Sequence, residues 1–181
     1  MHKRVLIISS SPRRNGNSDQ LSEAFKKGAV EAGNMVEKIF LQNKKIGFCM
    51  ACNACKREGL SGSCVIKDDM EDILNSMLLA DVIVLASPVY YYNVNAQMKV
   101  MIDRTYARFT ELKNKEFYFI FSCSDSTRGS IDAASEALRG FTCCLPDSSE
   151  KGIIYGLGLP RHGDVAEKDV LKEAYEMGKG V

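Results

Sequence analysis

Five stretches of the chain are apolar enough to be strands, and amphipathic stretches separate them. Val5–Ser9 (VLIIS), Val82–Ala86 (VIVLA) and Phe117–Phe121 (FYFIF) are continuous apolar runs. An alternating strand buries one face. A continuous run is buried on both, like parallel strands held between helical layers. Val36–Leu41 (VEKIFL) and Gly152–Leu157 (GIIYGL) are weaker runs of the same class. Between the runs, apolar residues recur at helical spacing. Leu21, Phe25, Ala29 and Ala32 follow Ser18 and stop at Gly33; Met70, Ile73, Leu74, Met77 and Leu78 form a second stripe. Met98, Met101, Ile102 and Phe109 form a third after Asn95. Ala133, Ala134, Ala137, Leu138 and Phe141 form a fourth, and Val165–Met177 a last.

This alternation predicts an α/β three-layer sandwich around a five-stranded parallel sheet. Right-handed crossovers leave few strand orders, and the flavodoxin-like 2-1-3-4-5 is the common five-stranded solution. In that order ligands bind beyond the carboxyl ends of strands 1 and 3, where the winding reverses. The expected organisation is a single domain over residues 1–181, with a cysteine-rich insert at about 47–67.

Charge and composition exclude more than they select. The formal net charge is +1, which gives no electrostatic case for nucleic acid or an acidic membrane surface. No apolar run approaches the roughly 20 residues that span a bilayer. Val5–Ile8 is too short for a signal-peptide core and lacks a small-residue cleavage site after it, so the expected location is the cytoplasm. Seven cysteines, an odd number, in a reducing compartment argue against a disulfide framework.

The switch-point loops carry the candidate chemistry. After strand 1 the chain reads Ser9-Ser10-Ser11-Pro12-Arg13-Arg14-Asn15-Gly16-Asn17-Ser18 and enters a helix. Free N–H groups and a partial positive charge at such a terminus suit a phosphate, and Arg13 or Arg14 could add a charge-assisted pair. A plain capped polar loop is the bland alternative. Neither the GxGxxG nor the GxxxxGK[ST] pattern is present, which favours FMN over FAD. After strand 3 comes Ser87-Pro88-Val89-Tyr90-Tyr91-Tyr92-Asn93-Val94-Asn95. Three tyrosines there suit a planar ring system or a subunit interface. The loop Ser122-Cys123-Ser124-Asp125-Ser126-Thr127-Arg128-Gly129 would flank the same crevice. A phosphate loop and an aromatic loop at one switch point together point to FMN.

Ser11-Pro12-Arg13…Gly16-Asn17-Ser18…Leu21 resembles the phosphate loop of the flavodoxin-like NAD(P)H-dependent FMN reductases. Ser87-Pro88-Val89-Tyr90…Ala96-Gln97-Met98-Lys99…Ile102-Asp103-Arg104 resembles that family's second flavin loop and its helix. The block Cys49-x2-Cys52-x2-Cys55…Cys64…Asp68-Asp69-Met70 resembles the iron–sulfur flavoprotein branch. The resemblance implies that Ser11, Arg13, Asn17 and Ser18 hold the FMN phosphate, with Ser9 at the head of the loop counted beside them. It implies that Pro88, Val89, Tyr90, Tyr91 and Asn93 line the isoalloxazine, and that Ser122, Cys123 and Ser124 approach its polar edge. It also implies a homodimer or tetramer. The family commonly has Gly where this chain has Ser10, and a smaller residue where it has Tyr92.

The cysteine block places four thiols in sixteen positions, Cys49 to Cys64. Zinc sites usually draw on two separated pairs, whereas overlapping two-residue spacings suit a [4Fe–4S] cubane. Cys49, Cys52, Cys55 and Cys64 are the candidate metal ligands, with metal-free thiols as the competing reading. Gly59, Gly62, Ser61, Ser63 and nearby Glu58 give the chain freedom to bring Cys64 round. Other candidates take bland roles. His2 is read as solvated, and His162 as an exposed residue of Gly158-Leu159-Pro160-Arg161-His162-Gly163-Asp164, a loop after strand 5 that could reach the crevice. Asp68-Asp69 are read as a helix start, and Cys143-Cys144 as packing residues.

The chemistry follows from the cofactor. Hydride passes from nicotinamide to flavin, so no acid–base pair is required of the side chains. The favoured function is an FMN-dependent oxidoreductase that takes hydride from NAD(P)H and passes electrons to a small acceptor or a redox partner. The alternatives are an iron–sulfur flavoprotein electron carrier and a non-redox metal-binding or interaction protein. Flavodoxin-type carriers often bear strong acidic charge, and this chain is nearly neutral.

Overall fold

The computed structural model describes residues 2–57, 59 and 62–181. Its strands are β1 (Arg4–Ser9), β2 (Met35–Phe40), β3 (Val82–Tyr90), β4 (Asn93–Val94), β5 (Glu116–Ser122) and β6 (Ser149–Gly156). Its helices are α1 (Asn17–Glu31), α2 (Met70–Leu79), α3 (Ala96–Arg104), α4 (Asp132–Thr142) and α5 (Asp169–Lys179). The long strands pair in parallel in the order β2-β1-β3-β5-β6, and β4 folds back antiparallel on β3. With the two-residue β4 set aside, this is the expected 2-1-3-4-5 order.

The continuous apolar runs are explained by two cores. Leu6 and Ile8 of β1 face one cluster, with Ile83 and Leu85 of β3 and Phe117, Phe119 and Phe121 of β5. The residues between them, Val5, Ile7, Val82, Val84, Tyr118 and Ile120, face the other. Successive side chains of a strand point to opposite faces, so a strand buried on both has no polar position. Helices α2, α3 and α4 cover the first cluster, and α1 and α5 cover the second. The α1–α5 contact is backbone to backbone. A Cβ on Gly28 would lie 2.0 Å from the Tyr175 carbonyl oxygen, and one on Gly178 would lie 2.1 Å from that of Phe25.

The structure corrects several expected boundaries. Strand β3 runs on to Tyr90, so half of the supposed loop is strand. The third helix stops at Arg104, and Phe109 lies in a separate 3-10 turn. Thr105 Oγ1 donates back to the Ile102 carbonyl at 2.7 Å, where the helix ends. The last helix begins at Asp169, not Val165, because Lys168 is extended (φ −106°, ψ 143°) after a 3-10 turn at Asp164–Glu167. Ala32 caps α1 from the exposed side instead of packing. Cys143 and Cys144 are exposed, not packed. No helix among the described residues is long and apolar enough to cross a membrane.

Candidate functional site

A crevice opens where β1, β3, β5 and β6 end. It is lined by Ser11, Pro12, Arg13, Gly16, Asn17, Ser18, Pro88, Val89, Tyr90, Ser122, Ser124, Leu159 and Pro160, and its volume is about 160 Å³. Parallel strands deliver their following loops to one end of the sheet, and the reversal between β1 and β3 parts those loops. Three chain segments expected at the switch point therefore meet here, with a fourth from the loop after β6.

The first loop is rigid for local reasons. Ser11 Oγ donates to the Arg13 carbonyl at 2.7 Å and accepts from the Arg13 amide at 3.2 Å. Asn15 adopts the left-handed region (φ 57°). A Cβ on Gly16 would sit 2.9 Å from Ser11 Oγ and 3.1 Å from the Arg13 oxygen, so the turn requires glycine for space. Asp19, in the first turn of α1 and buried, holds both ends of this loop. It accepts from Ser9 Oγ at 3.3 Å and from the Asn15 amide at 2.9 Å. Lys38 Nζ lies 2.7 Å from Asp19, and both side chains are 9% exposed. The ammonium neutralises the carboxylate, so the loop keeps its brace without presenting a net negative charge to an anion. Arg13 lines the crevice, whereas Arg14 stacks on Phe40 at 5.1 Å on the far side.

The tyrosine segment is a hairpin tip. Tyr90 pairs with Asn93 across the turn, and Tyr91 and Tyr92 both have positive φ (49° and 62°). Two-residue hairpin turns of this kind ordinarily use Asn-Gly, because β-carbons crowd the left-handed region. Two tyrosines there store strain of about 1–3 kcal/mol each, a cost seen mostly at functional sites. Asn95 locks the hairpin base to the first loop. Its Nδ2 donates to the Ser10 carbonyl at 2.6 Å, its amide donates to Ser87 Oγ, and its Oδ1 caps α3 at Met98.

Of the residues singled out by sequence, Ser11, Arg13, Asn17, Ser18, Pro88, Val89, Tyr90, Ser122 and Ser124 line the crevice together. Four stand apart from the lining. Ser9 is fully buried against Asp19. Cys123 lies in the core below β5. Tyr91 is fully exposed, and Asn93 Oδ1 accepts from the Val94 amide. Ser10 does not obstruct the crevice as a replacement for glycine could, because its hydroxyl turns inward to the Ala86 carbonyl at 3.1 Å.

The loop after β6, expected from the sequence to be able to reach the crevice, does so through Leu159 and Pro160, which were not named as site residues, and the brace that brings them in was not foreseen. Asn17 Nδ2 donates to the Leu159 and Arg161 carbonyls at 3.2 and 2.8 Å. Its Oδ1 accepts from the Gly163 and Val165 amides at 3.1 and 3.4 Å. The carboxamide is thus committed to the β6 loop, and what Asn17 can offer an anion is its backbone N–H at the start of α1. His162 Nε2, 3.2 Å from the Arg14 carbonyl, adds a second tie. For the brace itself the signal in the sequence was an asparagine at a helix start, which fits a cap equally well.

The cysteine block follows β2 and is pinned at its two ends. Asp68 accepts from the Gly47 amide at 2.7 Å and from the Met70 amide at 3.1 Å. Arg104 donates to Asp68 at 2.7 and 3.0 Å, and also to the carbonyls of Gly47 and Ile66. Burial alone would raise the Asp68 pKa, but the Arg104 guanidinium and the two amides hold it below the ordinary carboxylate value. Between these ends Cys49 and Cys52 are exposed, Cys55 is buried in the core, and Cys64 lies against Arg104. Among the described residues no three His, Cys, Asp or Glu side chains stand together as a metal site. The donor set is all thiol, which suits an iron–sulfur cluster, but in this arrangement the four sulfurs do not converge on one. Glu58 and Ser61, two of the residues expected to bring Cys64 round, lie outside the described residues.

A family model described as NADPH-dependent FMN reductase matches residues 3–145. The chain belongs to this family. Among curated proteins, an iron–sulfur flavoprotein of Archaeoglobus fulgidus is 42% identical over 97 residues, which are 54% of this chain and 43% of that protein. One from Methanocaldococcus jannaschii is 42% identical over 102 residues, 56% of this chain and 51% of that protein. The chain therefore aligns with about half the length of these relatives. Solved structures share its fold. A NAD(P)H:quinone oxidoreductase from Methanothermobacter marburgensis superposes with a TM-score of 0.71 at 17% identity, over 99% of this chain and 96% of that one. A Bacillus anthracis FMN-dependent NADH-azoreductase in complex with FMN gives 0.72 at 16%, over 98% and 96%.

Proposed function

We propose that this FMN reductase homologue binds FMN at the switch-point crevice, takes hydride from NAD(P)H, and delivers electrons to a small acceptor or a redox partner. The observation that carries this reading is the meeting of a braced helix N-terminus with a strained aromatic hairpin in one crevice. Bound FMN would supply the hydride chemistry at its ring. The protein's part is to hold and orient it. Ser11, Ser18, Arg13 and the first N–H groups of α1 would take the phosphate. Pro88, Val89 and Tyr90 would flank the ring, with Ser122 and Ser124 at its polar edge. The crevice is smaller than ordinary ligand pockets of roughly 300–1,000 Å³, so the flavin would extend over its rim, beside the exposed hairpin. Exposed Phe48, Met50, Tyr91 and Tyr92 support assembly as a homodimer or tetramer.

Two measurements test the reading. Flavin released by denaturation and separated by chromatography will be FMN, not FAD. Arg13→Ala will weaken FMN binding by about 1.5–3 kcal/mol, the scale of a charge-assisted hydrogen bond. Unchanged affinity would remove Arg13 from the site. In anaerobic stopped flow, NADH or NADPH will bleach the flavin absorbance. Reduction by a ferredoxin-class donor and by neither nucleotide would replace the reductase with an electron carrier.

A second reading is favoured by the C-x2-C-x2-C spacing, the all-thiol donor set and the relatives' names. Here the block takes up a [4Fe–4S] cluster through Cys49, Cys52, Cys55 and Cys64, after a rearrangement of the segment. Anaerobic reconstitution followed by iron and sulfide analysis will give about four of each per chain. Negligible iron in protein that still binds FMN would leave a plain flavin reductase.

A further inference from the structure

The pair Cys143-Cys144 ends α4 on the α2–α3–α4 side, and nothing described so far uses it. Both residues are exposed. Each Sγ lies 3.4 Å from the same acceptor, the Gly140 carbonyl. They are held side by side against the last turn of the helix. The C-terminal end of a helix carries partial negative charge, which disfavours a thiolate. The neighbouring Cys143 thiol raises the Cys144 pKa. Cys144 is thereby poorly suited to act as a nucleophilic thiolate.

Beside it lies a largely apolar groove of about 650 Å³, lined by Gly140, Cys144, Leu145, Tyr106 and Phe109, with Cys49 of the cysteine block on its other wall. Tyr106 and Phe109 stack there, with ring centroids 5.9 Å apart. Gly140 is an unusual choice for a helix interior, costing about 1 kcal/mol relative to alanine. A Cβ at that position would meet nothing within 4 Å. Glycine is therefore not required by packing, and its absent side chain leaves the space next to the sulfurs open.

Two neighbouring thiols with an apolar recess beside them define a ligand class. We propose that Cys143 and Cys144 form a chelating site for monosubstituted trivalent arsenicals, with the organic substituent seated in the groove. The reaction of R–As(OH)2 with the pair forms two As–S bonds and breaks two As–O bonds. The two thiol protons leave with the hydroxyls as two waters. Arsenic stays trivalent, and no electrons move. The adduct is uncharged, so it avoids the penalty a thiolate meets at the helix end. The second As–S bond closes within one molecule, where the partner thiol is present at high effective concentration.

The test uses the full chain as purified, treated with phenylarsine oxide and then washed in excess 2-mercaptoethanol, which strips arsenic from single thiols. Mass spectrometry is expected to find one phenylarsenic group per chain, on the peptide holding residues 143 and 144, released by the dithiol dimercaptopropanol. Cys143→Ser and Cys144→Ser will each reduce retention at least about tenfold, the loss expected when chelation becomes single attachment. Cys49→Ser and Cys52→Ser will retain the group. Unaltered melting temperature in all four variants will show that folding is intact. Retention on the 49–64 block, or retention unchanged in the double variant of Cys143 and Cys144, would overturn the proposal. Equal retention of methyl and phenyl arsenicals would remove the groove from it.

Discussion

Arg104→Met will lower the stability of the protein by about 3–5 kcal/mol, the cost of breaking a buried ion pair from one side. The Arg104 side chain is 2% exposed and that of Asp68 is 11% exposed. The substitution leaves a carboxylate without its counter-charge and the carbonyls of Gly47 and Ile66 without their donor. Arg104→Lys will recover only part of the loss, because a point charge cannot reproduce the planar fork that spans Asp68, Gly47 and Ile66. Urea denaturation measures the change. Thiol labelling gives a local readout, because Cys55 is buried while the ends of the block are pinned and will react faster in the variant. The effect has a pH signature. Asp68 has a lowered pKa in the folded protein, so its contribution is present above the unfolded value and is lost as pH falls through the folded one. The gap between wild type and Arg104→Met is therefore full near neutrality and narrows as acid protonates Asp68, which happens at a higher pH in the variant than in the wild type. A gap independent of pH would assign the loss to packing.

Asn17→Ala will cost about 2–6 kcal/mol of stability, because the four hydrogen bonds of one buried carboxamide contribute roughly 0.5–1.5 kcal/mol each. It will also weaken FMN binding at least about tenfold, since each 1.4 kcal/mol of lost crevice organisation is a factor of ten. The loss reaches the flavin through Leu159 and Pro160, which Asn17 draws to the crevice rim. Asn17→Asp keeps the acceptor toward Gly163 and Val165 but cannot donate to Leu159 and Arg161, so it will fall between alanine and wild type. Thermal melts with and without FMN, together with quenching of flavin fluorescence, separate the two effects. Alanine at position 17 with wild-type FMN affinity would mean that the β6 loop is not part of the site.

Both residues show where sequence reading reaches and where it stops. Arg104 appeared within a family-like helix motif and Asp68 as one of two acids at a helix start. Their pairing joins positions 36 apart, and nothing in either neighbourhood announces it. Asn17 was legible as belonging to the crevice, but not as a brace for residues 142 to 148 positions away. The tyrosine segment was legible as an aromatic loop. Its true form is a hairpin with two strained residues, which local propensity disfavours and which packing at Ser10, Ser87 and Asn95 sustains. Cys143 and Cys144 were misread as packing because cysteine is usually buried, a tendency that says nothing about which face of α4 they occupy.

By itself the sequence determined the layers, the parallel sheet and the end of it where the crevice opens. Those follow from one-dimensional patterns: a strand buried on both faces has no polar positions, and strand–helix alternation with right-handed crossovers leaves few orders. Its motifs also determined the family and most of the crevice lining. Tertiary structure alone decided which donors and acceptors satisfy one another across the loops. It turned Ser10 inward, set Arg13 toward the crevice and Arg14 onto Phe40, neutralised Asp19 with Lys38, and parted the four thiols of the cysteine block. The reason is that a buried polar group must find a partner wherever the folded chain offers one, and that partner is chosen by distance in space rather than by separation in sequence.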